Sequence, residues 1–425
     1  MSIHSVPGPS GHYPMNTSMP GSSDVVSSNG MRVLFIAMNL FRSKFTSAYR
    51  AGKLIKYLTR AGCTLNVVCA DPPTPGSLGE DLEGIDYTLV PYRLPVTGFS
   101  VPARAVNRLL SYPEPQVWWN RSVLRRLAAR TDWPRPDAVF VTTRPHANQL
   151  IGVRLAKDLG LPYVADLRDD WLTCSRIRWH TPMHVRSARR AERLMVEHAT
   201  AVLLNTHTVH QRFAGRYPQW STKLHTLTNG YDEDDFRCAE FAPPEHLRSK
   251  HLIVYAGDDY EGFMTGQLSA LAQQMRSNGL SKTWSIATAG PWKWPPARFD
   301  DVWTHLGTLS YAQNAALLMQ GNLLLLPMPP GEATPSGTVP LKAYSYLRSG
   351  RAIVYLGEPG STPELLNRFQ GTFCLEREAW PRLADWIAQR GQTFDRAFRR
   401  ADAAQYSFSA ITERLLVILR GVHTS

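Results

Sequence analysis

The sequence predicts two α/β domains in tandem, each a parallel sheet wound on both faces by helices, meeting at a central cleft. Three observations predict it. Short uninterrupted apolar runs recur along the chain, as in strands buried on both faces. Segments with apolar residues at helical spacing separate them. The alternation stops at Pro243-Pro244 and begins again immediately after it.

In the first series, MRVLFIAMN (31–39) is a buried strand. SAYRAGKLIKYLTRAG (47–62) then places Ala48, Ala51, Leu54, Ile55 and Leu58 on one helical face and stops at Gly62, and LNVVCA (65–70) is the next strand. DAVFVTT (137–143), a helix over 147–159, PYVADL (162–167), a helix over 184–198 and AVLLNT (201–206) continue the pattern. The second series runs HLIVYAG (251–257), a helix over 266–276, WSIATAGP (284–291), HLGTLSY (305–311), a helix over 312–320, NLLLLP (322–327), a helix near 340–349 and AIVYLG (352–357). FSAITERLLVILRGV (408–422) is amphipathic and is expected to pack back on the first domain. The expected divisions are a disordered leader or misassigned start over 1–30, a first domain over 31–240, a second over 241–400 and a returning segment over 401–425. Two Rossmann-like domains of this kind bind ligand between the carboxyl ends of their strands.

The chain of 425 residues is 43% hydrophobic and 19% charged, a globular composition. Its five cysteines, Cys63, Cys69, Cys174, Cys238 and Cys374, form no C-x-x-C pair, which fits reduced thiols in a cytosolic protein. No apolar run approaches the ~18 residues of a membrane span. The formal charge is +12, and residues 31–240 hold 29 Lys+Arg against 19 Asp+Glu. RSVLRRLAAR (121–130), RIRWHTPMHVRSARRAER (176–193) and FSVPARAVNRLLSYP (99–113) concentrate that charge among aliphatic and aromatic residues. The mixture suits docking on an anionic membrane surface; solvated helix faces with arginine stems packed along them are the other reading. No nucleic-acid-binding module is present in the sequence.

The stretch LPYVADLRDDW (161–171) ends a strand in Asp166, Asp169 and Asp170 with Arg168 among them. Crowding of like charge is expected to lift one carboxyl pKa toward neutrality. A carboxylate at a strand end facing the cleft can take a proton from an acceptor hydroxyl or orient it, and Asp169 is the first candidate, Asp166 the second. A capping cluster at a helix start is the competing use. Arg144 and His146 end another strand; His146 reads equally as an acceptor contact or a loop histidine. In SGTVPLKAYSYLRSG (336–350), small residues precede a helix carrying Lys342, a pattern that can hold phosphate, as a plain solvated helix start also could. Gly257 and Gly290 follow strands and are expected to let backbone N–H groups approach a nucleotide, or simply to turn the chain. Asp232-Glu233-Asp234 has a D-x-D form, but after Asn229-Gly230 it reads as a turn, and no metal site is expected.

The stretches 31–62, YVADLRDDW (163–171), AERLMVEHATAVLLNT (191–206), KLHTLTNGYDEDDF (223–236), IVYAG (253–257), HLGTLSY (305–311) and SGTVPLKAYSYLRSGRAIVYLG (336–357) together resemble the GT-B glycosyltransferases, specifically the family 4 group and related bacterial exopolysaccharide transferases. The resemblance implies a nucleotide-sugar held mainly by the second domain, a saccharide or polyprenyl-linked acceptor held by the first, and no required metal. It implies donor contacts at Gly257, Gly290, Gly337, Thr338, Lys342 and Ser345. Where relatives place two glutamates to hold the donor's ribose and sugar, this chain has Gly337 and Ser345. The usual arginine after the first strand of the second domain is not obvious in GDDYEGFMTGQ (257–267). The expected function is sugar transfer in surface or exopolysaccharide assembly, in the cytoplasm or at the inner face of the plasma membrane. A nucleotide-sugar epimerase of the same fold and a non-catalytic binding protein are the alternatives.

Overall fold

The computed structural model describes residues 30–41, 46–72, 80–94, 106–107, 109, 111–130, 134–173, 177, 179–238, 240–292, 297–329 and 337–423. The first domain is a seven-stranded parallel sheet in the order β3-β2-β1-β4-β5-β6-β7. Its strands are β1 (Arg32–Ile36), β2 (Thr64–Cys69), β3 (Tyr87–Leu89), β4 (Ala138–Thr142), β5 (Tyr163–Leu167), β6 (Ala201–Leu204) and β7 (Leu224–Thr226). Helices α1 (Thr46–Arg60), α2 (Val117–Ala128), α3 (Gln149–Leu159), α4 (Pro182–His198) and α5 (His207–Arg216) wind around it. β1, β4, β5 and β6 are almost wholly buried because helices cover both faces, which is why they read as unbroken apolar runs.

The crossover carries a short helix α6 (Glu233–Arg237), and α7 (Glu245–Arg248) leads into the second domain. That domain is a six-stranded parallel sheet in the order β10-β9-β8-β11-β12-β13. It comprises β8 (His251–Ala256), β9 (Trp284–Ala289), β10 (Trp303–His305), β11 (Leu323–Pro327), β12 (Ala352–Leu356) and β13 (Thr372–Leu375), with α8 (Phe263–Ser277), α9 (Tyr311–Gln320), α10 (Leu341–Ser349), α11 (Ser361–Leu366) and α12 (Leu383–Ala388). The last helix, α13 (Phe408–His423), places Phe408, Ile411, Leu415 and Leu419 in the core formed by α1 and the first sheet.

Three short edge strands escape the sequence pattern. β3, β7 and β13 are three or four residues long and incompletely buried, so they carry no apolar run. HLGTLSY (305–311) is corrected: the strand is Trp303–His305, and a loop with Gly307 at φ 70 follows it.

The carboxyl edges of the two sheets face each other. Thr206, just beyond β6, donates its hydroxyl to the Gly337 carbonyl at 2.7 Å. The Thr208 and Ser361 hydroxyls meet at 2.6 Å, and the Tyr49 and Tyr311 rings pack at 4.5 Å. These contacts close the two sides of a cleft.

Candidate functional site: the cleft between the two sheets

Each of the three carboxylates that end β5 has its own guanidinium, delivered from a different element. Arg50 of α1 donates to both oxygens of Asp166, Nη2 to Oδ1 at 2.8 Å and Nε to Oδ2 at 3.2 Å, and Thr142 adds its hydroxyl to Oδ2 at 2.7 Å. Arg144, just past β4, donates Nε and Nη2 to Asp169 Oδ2 at 3.0 and 2.7 Å. Arg216 of α5 binds Asp170 through Nη2 to Oδ2 at 2.9 Å. Sequence distance explains why pairing was invisible, since Arg50 lies 116 positions from Asp166 and Arg216 lies 46 from Asp170.

For Asp169, the first candidate, this arrangement runs opposite to the expected lift of its pKa by crowding. Burial does push the Asp169 carboxyl up, but Arg144 and Arg168 outweigh it and hold the group at about 2. Asp169 is therefore ionised throughout the physiological range. It is a weak base and a strong hydrogen-bond acceptor, suited to orienting an acceptor hydroxyl. Asp166 is completely buried, with both oxygens engaged.

His146 is sealed at 1% exposure. Its Nε2–H donates to the Asp169 carbonyl at 3.2 Å, and its ring lies parallel to Trp171 at 5.5 Å. Burial, with Arg144 beside it, lowers its pKa to about 4, so it is neutral. Its visible work is to fix the loop that carries Asp169.

A group in this region pushed toward neutrality is Glu192 of α4. Arg216 reaches its Oε1 as well as Asp170, and Tyr217 donates to Oε1 at 2.8 Å. Oε2 has no partner among the described residues. Burial, aided by Asp170, raises the pKa to about 7. A carboxyl whose folded pKa exceeds its unfolded value of about 4.3 contributes stability at low pH that is lost as pH rises through 4.3 to 7. Glu192→Gln should thus raise the melting temperature relative to the parent more at pH 8 than at pH 5, a differential worth about 1–3 kcal/mol. A pH-independent difference in thermal denaturation would rule this out.

On the second domain, Gly257 ends β8 at φ +154 and Gly290 ends β9 at φ +153, backbone that side chains rarely adopt. A Cβ on Gly290 would lie 2.0 Å from the Gly257 carbonyl oxygen, and one on Gly257 would lie 2.4 Å from Lys342 Nζ. Here too the structure corrects an expectation. The Gly257 N–H donates to the Ala289 carbonyl at 2.8 Å and the Gly290 N–H to the Gly307 carbonyl at 2.9 Å. The glycines supply space, and the donor group that fills it is the Lys342 ammonium. Lys342 donates to Tyr255 Oη at 3.0 Å and lies 4.2 Å above that ring. Burial lowers its pKa, with Tyr260 and Asp258 opposing. Ser345 is half-buried one turn further along α10. Gly337 and Thr338 present carbonyls to Thr206 and Thr362 and join the cleft wall; Ser336 lies outside the described residues.

The D-x-D carboxylates are engaged at the crossover. Asp232, fully buried, accepts from Lys56 at 2.7 Å and Tyr57 Oη at 2.6 Å and pairs with Lys53 at 2.6 Å. Despite burial, these cations hold its pKa well below the ordinary range. Glu233 binds Arg348 through Nε at 2.7 Å, and Asp234 binds Arg60 at 2.7 Å. A cavity of 690 Å³ opens behind this hinge, lined by Tyr57, Arg60, Glu233, Arg348 and Arg399. It sits at the carboxyl ends of α1 and α10, away from the strand ends that carry the chemistry.

Two doubly wound parallel domains with carboxyl edges facing across a cleft, a lysine on one side and a carboxylate–arginine pair on the other, have the architecture of the GT-B fold. Residues 46–230 match the family model of a glycosyl transferase 4-like domain. The sucrose-phosphate synthase of Thermosynechococcus elongatus superposes with a TM-score of 0.63 at 12% identity over 93% of this chain and 99% of that one. Anabaena HepE, solved with UDP and glucose, gives 0.58 at 14% over 92% and 99%. The α,α-trehalose 6-phosphate synthase of Burkholderia multivorans gives 0.60 at 14% over 93% and 99%. At these identities the likeness is one of fold. No curated protein matches the chain at the sequence level.

Proposed function

We propose that the chain transfers a sugar from a nucleotide-sugar, held by the second domain, to a saccharide or polyprenyl-linked acceptor held by the first, in surface or exopolysaccharide assembly. The observation that carries this reading is the Lys342 ammonium, held in a space kept open by Gly257 at the end of β8. A leaving nucleoside diphosphate gains negative charge as the glycosidic bond breaks, and a partly desolvated ammonium stabilises that charge without a divalent metal. Asp169, kept ionised by Arg144, would orient the acceptor hydroxyl from the opposite wall. Anabaena HepE was solved with UDP-glucose and S. aureus MnaA with UDP, which makes uridine diphosphate the first nucleotide to try. No helix among the described residues is long and apolar enough to cross a membrane. We place the protein in the cytoplasm, meeting lipid-linked substrate at the inner face of the plasma membrane.

The test is a thermal-shift series with UDP, GDP, dTDP and CMP and their sugars in the absence of added metal. A ligand specific for the folded state stabilises by about 2.7 kcal/mol at a hundredfold excess over its dissociation constant. A clear rise with one nucleotide supports the donor site and names its class. If none shifts the midpoint, the replacement of the relatives' glutamates by Gly337 and Ser345 marks a lost donor site, and a non-catalytic binding protein becomes the better description. A nucleotide-sugar epimerase would respond to the nucleotide but convert the donor with no acceptor present.

A further inference from the structure

The cavity behind the hinge takes no part in the proposed transfer, and its walls come from both domains. Arg60, at the end of α1, belongs to the first domain, and Arg348 and Gly350, at the end of α10, belong to the second. Between them run the two passages of chain that join the domains, the crossover at 231–237 and the return at 398–409. The passages are hydrogen-bonded to each other: the Tyr231 N–H donates to the Tyr406 carbonyl at 3.0 Å, and the Phe408 N–H donates to the Tyr231 carbonyl at 2.9 Å. At 690 Å³ the cavity falls within the range of small-molecule sites, about 300–1,000 Å³.

Its charge is lopsided. Arg60, Arg237, Arg348, Arg399 and Arg400 line it against two carboxylates, Glu233 and Asp234. Both acids are already engaged, Glu233 by Arg348 and Asp234 by Arg60 and Lys56. Arg237 approaches Asp234 only to 4.0 Å, and among the described residues no carboxylate pairs with Arg399 or Arg400. The half-buried Arg400 commits its N–H groups to carbonyls, those of Gln370 at 2.9 Å, Leu347 at 3.2 Å, Arg351 at 2.8 Å and Gly371 at 3.3 Å. A helix carboxyl end ordinarily repels an anion, but the Leu347 carbonyl near the end of α10 is covered by this guanidinium. Desolvation without a counter-ion lowers the Arg400 pKa to about 10, so an anion drawn beside it relieves a cost the fold already carries.

The geometry points to the hinge cavity as a binding site for a small phosphorylated molecule with a hydroxyl-bearing body, of the sugar-phosphate class. Arg237 and Arg399, both exposed and the least engaged of the five, present planar forks that take phosphate oxygens in pairs. Ser407 and Ser409 bring hydroxyls to the same space, and Leu347 and Phe398 give it an apolar wall for the carbon face of a ring. An occupant held by residues of both domains responds to movement of one against the other, so binding here and closure of the cleft are linked. The site itself needs neither donor nor acceptor, and the inference therefore goes beyond the proposed function.

The experiment is calorimetric titration of the full chain with glucose 6-phosphate, with glucose as the uncharged control. The parent is expected to bind the phosphorylated probe, more weakly as salt is added, and to ignore glucose at the same concentration. Arg237→Gln with Arg399→Gln should weaken binding by about tenfold, the loss of charge-assisted hydrogen bonds at a partly solvated site. Ala404→Glu, which sets a carboxylate among the guanidiniums, should weaken it as well. All three positions are exposed, so unchanged melting temperatures are the control for folding. Lys342→Met, on the far side of the second domain's sheet edge, should leave this affinity as it is. No binding by the parent at millimolar probe, equal binding of glucose, equal affinity in the parent and both hinge variants, or loss of binding in Lys342→Met alone would overturn the inference. The UDP shift is measured separately on the same proteins, so a failed hinge site leaves the donor reading standing, and loss of the donor reading leaves the hinge site standing.

Discussion

Lys342→Met should remove the stabilisation by nucleotide while leaving the unliganded protein as stable as the parent, or more so. The side chain is half-buried against Tyr255, and desolvation lowers its pKa, which means that the folded chain bears a cost for keeping the ammonium charged. Methionine has similar length and no charge, and it fills the space over Gly257 without that cost. When a diphosphate is present the balance reverses. Removing one partner of a desolvated, hydrogen-bonded charge pair costs about 2–5 kcal/mol, enough to take a micromolar ligand out of a practical titration range. Calorimetric titration of parent and variant with UDP, together with their melting curves, separates the two effects. Undiminished UDP affinity in Lys342→Met would place the phosphates elsewhere. A variant that loses both affinity and stability would reduce Lys342 to a packing role.

The acidic turn after β8 makes this lysine more important. Asp258 and Glu261 are exposed there, and Asp259 is committed to Thr265, whose N–H and hydroxyl it accepts at 2.8 and 2.9 Å. No arginine stands in the segment from Gly257 to Gln267. The cation for a phosphate comes instead from α10, more than eighty positions later, and meets the turn only because β8 and β11 are neighbours in the sheet.

That contrast shows what was legible in the sequence. Buried strands such as Val33–Ile36 and Leu323–Leu326 announce themselves, because enclosure on both faces demands uninterrupted apolar residues. Helix ends were found within a few residues for the same reason, the apolar stripe stopping where the core stops. The candidate residues Asp169, Arg144, Gly257, Gly290 and Lys342 stand at strand ends or helix starts, positions that a doubly wound fold assigns to its cleft. Charge state was not legible. The sequence shows three adjacent aspartates and one arginine beside them, and pairwise repulsion is then the natural inference. Arg50, Arg144 and Arg216 arrive through tertiary folding, and none lies within twenty positions of its carboxylate. His146 gave no sequence signal of its burial, since a histidine between Pro145 and Ala147 reads as loop.

Arg50 is the residue whose loss should be felt most widely. Its guanidinium is fully buried and makes five contacts: two to Asp166, one each to the carbonyls of Leu227 at 3.0 Å and Thr228 at 2.6 Å, and one to Asn229 Oδ1 at 3.4 Å. It therefore ties the end of β5 to the chain that leaves the first domain. Arg50→Met strands a buried carboxylate and two carbonyls, and the expected cost is about 3–5 kcal/mol of stability. Asp166→Leu alone strands the guanidinium instead. If the pair acts as a unit, the double variant Arg50→Met with Asp166→Leu is more stable than the sum of the singles predicts, because no unpaired charge remains. Denaturant unfolding of the four proteins measures that coupling, and additive costs would show that Arg50 and Asp166 act independently. Tyr49 and Lys53, on either side of Arg50, bind Asp235, and Lys53 also pairs with Asp232, so α1 holds the crossover along much of its length. The same helix packs against α13, which returns from the second domain. Both passages of the chain between the domains thus rest on α1, and the position of Lys342 relative to Asp169 is set by the residues that anchor this helix.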